Sequence, residues 1–315
     1  MHPILPVAHI LIHQREERLL LRNNGLQGWK VLIAGGDRRE IFLAADLAKK
    51  GADVWLYGFE KCLLPSEMLL RTGLPEQADV IVCPLPGMDG EGKIFAPFAE
   101  QPCTLDSLQR FFLPEVLLIC GRMPAHCQQA LEKAGVHVFL SGEDDELAIL
   151  NAIPTAEGAV EIAMRESSIT IHGSESLVIG FGRCGLPLAR TLQGIGASVT
   201  VAVRRREAQA LALALGFTAA GMEELGRLVK TCDFIFNTVP ALILTADVLA
   251  ATNRNALIVD IASRPGGTDF DNAAKLGIKS FLAPGLPGQV APVTAGKILG
   301  RVYLPLIHTL GRRRD

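Results

Sequence analysis

Aromatic residues are scarce in this chain, at 5% of 315 residues, which argues against a surface that recognises bases or sugars by stacking. Neither charge sign dominates. Lys and Arg total 31 against 33 Asp and Glu, a net charge of −2. With no basic excess to neutralise phosphates, nucleic acid is not expected as the main partner. Low net charge with 49% hydrophobic residues also excludes intrinsic disorder. Long apolar runs are missing. The longest uncharged stretch, Ser280–Gly296, is broken by three prolines and three glycines, so no membrane span is expected. The opening MHPILPVAHILIHQREERLL has neither the long apolar core nor the small-residue cleavage site of a signal peptide. No C-x-x-C pair occurs among the seven cysteines (Cys62, Cys83, Cys103, Cys120, Cys127, Cys184 and Cys232), which predicts buried free thiols in a reducing cytoplasm rather than a disulfide frame or zinc site. None of the seven histidines (His2, His9, His13, His126, His137, His172 and His308) falls between Gly173 and Ile307. A D-2-hydroxyacid dehydrogenase needs a general-acid histidine there. Metal-ligand clusters and a G-x-S-x-G nucleophile are absent too.

What is present is an alternation. Short apolar runs (Val31–Ala34, Val54–Tyr57, Val80–Cys83, Val116–Cys120, Val136–Leu140) are separated by amphipathic stretches such as Glu40–Lys50 and Pro124–Ala134. The pattern resumes at Leu177–Gly180, Val199–Val203, Phe234–Phe236, Leu257–Asp260 and Lys279–Leu282. Runs apolar on both faces read as parallel strands buried under helices. The class is therefore α/β: two Rossmann-like doubly wound parallel-sheet domains with a cleft between them. Residues 1–25 read as an N-terminal extension and 26–150 as the substrate-side domain. A hinge helix and linker follow at 151–170, then the dinucleotide domain at 171–289, and 290–315 is a helix packing across the domain junction. Ser141-Gly-Glu-Asp144 carries a helix-start signal. Pro154 is expected to interrupt, leaving a second helix at Thr155–Met164, and Pro305 to kink the last one. Arg312–Arg314 reads as a solvated end.

Gly180-Phe181-Gly182-Arg183-Cys184-Gly185 is the strongest motif, because it follows one strand, opens an amphipathic helix and is succeeded by another strand. Gly180 permits the tight turn, Gly182 lets a pyrophosphate approach and Gly185 packs helix on strand, with the pyrophosphate on the helix amides. At the end of the second strand an NAD site places an acid for the ribose diol. Here Val203 is followed by Arg204, Arg205 and Arg206. Guanidinium groups bind a 2′-phosphate, so the cofactor is predicted to be NADP, clamped by Arg204 and Arg205. Asn237, Thr238, Val239 and Pro240 would flank the nicotinamide half, and Ser263 and Arg264 in the Asp260–Gly267 loop would face cofactor or substrate.

On the substrate side Gly35-Gly36-Asp37-Arg38-Arg39-Glu40 lacks the third glycine of the dinucleotide fingerprint. Asp37 with Glu40 reads as a helix cap. Arg38, Arg39 and Arg122 are candidates for a substrate carboxylate. The Pro84–Pro102 loop is long enough to form a lid.

Asn237-Thr-Val-Pro240, Asp260-Ile-Ala-Ser-Arg-Pro-Gly-Gly267 and Leu282-Ala-Pro-Gly-Leu-Pro-Gly-Gln-Val-Ala-Pro-Val-Thr-Ala-Gly296 resemble the family of dipicolinate synthase A subunits. Ala34–Asp37, Pro84–Gly87 and Asn151–Gly158 are similar to it as well, so the likeness runs from about Gly28 to Leu310. It implies NADP-dependent oxidation of dihydrodipicolinate, a cyclic dicarboxylate, to dipicolinate during sporulation. It also implies that the partner is a flavoprotein-like B subunit and that the location is the mother-cell cytoplasm. Aromatisation makes the reaction downhill. The proton acceptor is not identified by the resemblance; Asp260 and Ser263 are candidates. The residues alone also fit a shikimate-dehydrogenase-like NADP enzyme or a nucleotide-binding subunit without catalysis, and leave open whether the chain forms homo-oligomers.

Overall fold

A computed structural model describes residues 25–64 and 70–311. The expected extension up to residue 24, with His2, His9 and His13, and the Arg312–Arg314 tail lie outside the described residues. The chain divides into two units. One comprises the residues up to Gly36, Leu43–Phe139 and those from Leu304 on; the other comprises Asp37–Phe42 and Leu140–Tyr303.

The first unit holds a six-stranded parallel sheet in the order β3-β2-β1-β4-β5-β6. Its strands are β1 (Lys30–Ala34), β2 (Asp53–Tyr57), β3 (Arg71–Thr72), β4 (Val80–Val82), β5 (Leu117–Cys120) and β6 (His137–Leu140). The second unit repeats this plan as β12-β11-β10-β7-β8-β9. There the strands are β7 (Glu175–Ile179), β8 (Ser198–Val203), β9 (Thr218–Gly221), β10 (Phe234–Asn237), β11 (Leu257–Asp260) and β12 (Lys279–Leu282). In each sheet the order reverses beside the first strand, which is the switch point where open α/β sheets take ligands.

Alternate residues of one strand enter different cores, so both faces are covered. Val178, Val201, Phe236 and Val259 lie in one cluster of the second unit, while Leu177, Ile179, Ile235 and Ile258 lie in another. Each such side chain contributes about 1.5–3 kcal/mol on burial. That explains why the strands read as unbroken apolar runs.

Asp145–Glu166 is one 22-residue helix with Pro154 inside it, not the interrupted pair expected from the sequence. The Thr155 hydroxyl donates to the Asn151 carbonyl at 2.7 Å beside the proline, and Pro154, Ala156, Gly158 and Ala159 are buried, so packing outweighs the missing amide. By length and composition the helix could cross a membrane, yet 56% of its apolar window is buried, as in a core helix. Its cap is Asp144, which accepts from the Leu147 amide at 2.7 Å. Ser141, expected to start the helix, begins a short 3-10 turn and bonds the Tyr303 hydroxyl at 3.0 Å. The last helix runs Pro292–Leu310 with Pro305 inside it. Of the cysteines expected to be buried, Cys83, Cys103, Cys120 and Cys232 are; Cys62, Cys127 and Cys184 are half-buried.

Candidate dinucleotide site

The carboxyl ends of β7, β8, β10, β11 and β12 share one edge, with Ile179 level with Ala202 and with Asn237, and Asn237 level with Asp260. The Gly180–Gly185 loop leaves β7 there. Gly180 has φ +93°, and a Cβ on it would strike Thr238 Oγ1. The Thr238 hydroxyl is fixed by donating to the Ile179 carbonyl at 2.9 Å. A Cβ at Gly185 would strike the Gly180 carbonyl, whereas one at Gly182 meets nothing within 4 Å. The loop is thus closed on its protein side and open in front of the Gly185–Gly194 helix. There the Leu186 amide donates to the Gly182 carbonyl at 3.1 Å and Pro187 has no amide hydrogen, so the Gly185 amide is the one at the helix start that faces the opening. The chemistry of such a cradle suits a pyrophosphate.

The other residues of the motif divide. Phe181, expected at the cofactor, has its side chain in the core, edge-on to Phe217 at 5.6 Å. Arg183 is exposed and paired with Asp145 at 2.8 Å, a partner the sequence did not suggest because it lies 38 residues away. Burial pushes the Cys184 thiol upward, so it is not a ready thiolate.

Arg204 and Arg205 are exposed between β8 and the Arg206–Ala214 helix, and among the described residues neither has an acidic partner. Asn237, also expected at the cofactor, is fully buried and holds its own turn. Its amide donates to the Val239 carbonyl at 3.0 Å and its carbonyl accepts the Val239 amide at 3.1 Å. Thr238 and Val239 are half-buried, and Pro240 is exposed.

Asp260, a candidate proton acceptor, is fully buried. It accepts the Ala262 amide at 3.1 Å, the Gly267 amide at 2.8 Å and the Thr268 hydroxyl at 2.7 Å. An inaccessible carboxylate with three donors shapes the loop and does not meet a substrate. Ser263 and Arg264, on that loop, are exposed.

Arg39, expected to hold a substrate carboxylate, is 2% exposed. Its guanidinium fork grips Asp37 through Nε at 3.0 Å and Nη2 at 2.7 Å. The cap expected from Asp37 and Glu40 is there: the Asp37 amide donates to Glu40 Oε2 at 2.7 Å, and Asp37 Oδ1 accepts the Arg39 amide at 3.0 Å. Burial pushes the Asp37 carboxyl up, but Arg39's hydrogen bonds and charge outweigh it and hold it below the ordinary carboxylate range. Burial pushes Glu40 up to about 8 despite the charge of Arg39. Arg38 is exposed. In the first unit Arg122 is exposed, its Nε donating to the Pro86 carbonyl at 2.9 Å. The sequence reading also missed Gly288, where a Cβ would strike both carboxylate oxygens of Asp37; only the density of glycine and proline in that segment signalled a close approach.

Residues 30–140 match the family model of the N-terminal domain of the dipicolinate synthase A subunit. Residues 155–268 match that of the D-isomer specific 2-hydroxyacid dehydrogenase NAD-binding domain. The chain is similar to the dipicolinate synthase A subunit of Bacillus subtilis, 37% identical over 90% of this chain and 97% of the relative. Among solved structures it is similar to the dipicolinate synthase A subunit from Bacillus halodurans, at TM-score 0.80 and 33% identity, covering 90% of this chain and 98% of that one. It is likewise similar to the solved Bacillus subtilis A subunit, at TM-score 0.79 and 36% identity, with 91% and 98% covered. A transhydrogenase from Sinorhizobium meliloti, 16% identical at TM-score 0.66 over 89% and 93%, shares the fold.

Proposed function

The chain belongs to the family of dipicolinate synthase A subunits, and we propose that it oxidises dihydrodipicolinate to dipicolinate with NADP as hydride acceptor. Its second unit is a nicotinamide-dinucleotide domain of the dehydrogenase type. When bound, the nicotinamide supplies the hydride-accepting carbon. The protein's part is to hold and align. The open cradle at Gly182 and the Gly185 start of the Gly185–Gly194 helix would carry the pyrophosphate, and Thr238 and Val239 would border the nicotinamide half.

One observation carries the choice of NADP: Arg204 and Arg205 stand exposed at the end of β8, where no acid pairs with them among the described residues. Two cations at a helix start oppose the helix dipole, and a 2′-phosphate would relieve that. Arg38 and Arg264, both exposed on the second unit, are the arginines we assign to the substrate carboxylates; Arg39 is not among them. A flavoprotein-like partner, the family's B subunit, and a role in the cytoplasm of the sporulating mother cell belong to the same proposal, supported by the family membership.

The test is Arg204→Asp with Arg205→Ala, titrated with both dinucleotides by calorimetry. Charge-assisted bonds to the extra phosphate are worth about 1.5–3 kcal/mol each, so losing both should weaken NADP by at least about 100-fold and NAD by less than about threefold. Equal losses would remove the clamp. Turnover of shikimate with none of dihydrodipicolinate would overturn the substrate assignment. Tight dinucleotide binding without any turnover, in isolation or with the partner present, would leave a binding protein.

A further inference from the structure

The oxidation proposed above releases a proton as well as a hydride, and the geometry points to Asp37 as the group that receives it. This inference rests on that reading of the reaction. One sp3 ring centre gives up hydrogen with its electron pair to the dinucleotide. The adjacent sp3 centre gives up a proton to an Asp37 carboxylate oxygen, and the electron pair left behind becomes the new ring double bond.

Placement comes first. β11 and β12 end level, Asp260 beside Leu282, so the Ala283–Gly288 segment leaves the same edge as the dinucleotide loop. Gly288 presses on both oxygens of Asp37. The Asp37 carboxylate therefore belongs to the second unit's ligand edge, although in sequence it follows the first strand of the other sheet. Elimination comes second. No histidine lies between residues 173 and 307. Asp260 is fully buried, and Asp269 caps its own helix by accepting from Asn272. Asp37 also accepts three hydrogen bonds, from the Arg39 amide, Nε and Nη2, but is not fully enclosed. Asp37 keeps 17% of its side chain exposed, which gives a substrate a way in.

The groups facing Asp37 suit an acceptor that must let go again. Arg39 holds it ionised between turnovers. Glu40 lies behind, fully buried, its Oε1 accepting no hydrogen bond among the described residues and standing 4.0 Å from Arg39 Nε. Tyr303 also lies within electrostatic reach of Arg39. With Glu40 neutral the cluster carries one anion and one cation, so a proton arriving on Asp37 leaves Arg39 uncompensated and is quickly passed to water. An acidic acceptor is sufficient because aromatisation drives the step.

The experiment compares wild type, Asp37→Asn and Asp37→Glu in turnover of dihydrodipicolinate with NADP across pH, and in calorimetric binding of dipicolinate. Asp37→Asn should lose about 10²–10⁴-fold in kcat, with Asp37→Glu recovering part of it. The wild-type rate should stay level down to about pH 5 and fall only below that. Removing a like charge should make Asp37→Asn bind the dipicolinate dianion several-fold tighter. Turnover by Asp37→Asn within about threefold of wild type, or unchanged dipicolinate affinity, would overturn the assignment. A wild-type acid limb near the ordinary histidine pKa would do so too, and this needs no variant to fold. Wild type inert toward dihydrodipicolinate would instead overturn the reaction beneath it.

Discussion

The two sheets have the same strand order, but their first turns differ in what stands in front of them. After β1, the Gly36 amide donates to the Phe95 carbonyl at 2.8 Å, and a Cβ on Gly35 would come within 2.8 Å of that same oxygen. The chain's own Ile94–Ala96 segment thus covers the turn. After β7, Gly182 faces open space. A doubly wound sheet does not by itself make a nucleotide site. The turn left uncovered at its switch point can admit a ligand, and the covered one cannot.

The largest effect that would sharpen this contrast is expected at the end of β11. Asp260→Asn turns one acceptor oxygen of a three-donor carboxylate into a donor. It should cost about 3–5 kcal/mol of stability in urea unfolding, because this carboxylate anchors the uncovered side of its sheet. Next are the two turns themselves. Gly182→Val should lower dinucleotide affinity by at least about 100-fold (about 2.7 kcal/mol) in NADPH fluorescence titration, with little change in stability. Gly35→Ala, at φ +71°, should do the reverse, costing about 1–3 kcal/mol of stability and leaving dinucleotide affinity unchanged. Affinity losses at both would mean that the covered turn binds as well. A further effect concerns Glu40. Its proton is held more tightly in the folded state, with a pKa raised from 4.5 to about 8. The stabilisation is complete below pH 4.5 and fades as pH rises toward 8. Glu40→Gln imitates the neutral form. Its urea midpoint should stay level across that window while that of the wild type falls, so the two should differ most at pH 8.

Much of this architecture was legible because both faces of each sheet are buried, which leaves strands such as Leu257-Ile-Val-Asp260 as bare apolar runs. β9 escaped, since Thr218-Ala-Ala-Gly221 has no bulky side chain, and so did the two-residue β3 at the edge of its sheet. Asp145–Glu166 was misjudged at Pro154, where long-range packing outweighs a local preference. Within the site the glycines were readable because each answers to a local backbone demand. Asn237, Phe181 and Arg39 were not, because residue type alone does not reveal whether a polar or aromatic side chain turns toward a ligand or back into its own turn. The Arg39 guanidinium looks like a carboxylate receptor in sequence and is one, but the carboxylate it receives is two residues away.

The absence of a side chain at position 288 is a constraint that reaches across 251 residues of sequence. Whatever replaces that hydrogen must displace the acid pressed against it, so a relative bearing alanine or anything larger there must hold its Asp37 equivalent elsewhere or do without it. One small position can then separate chains that keep this arrangement from those that share only its outline.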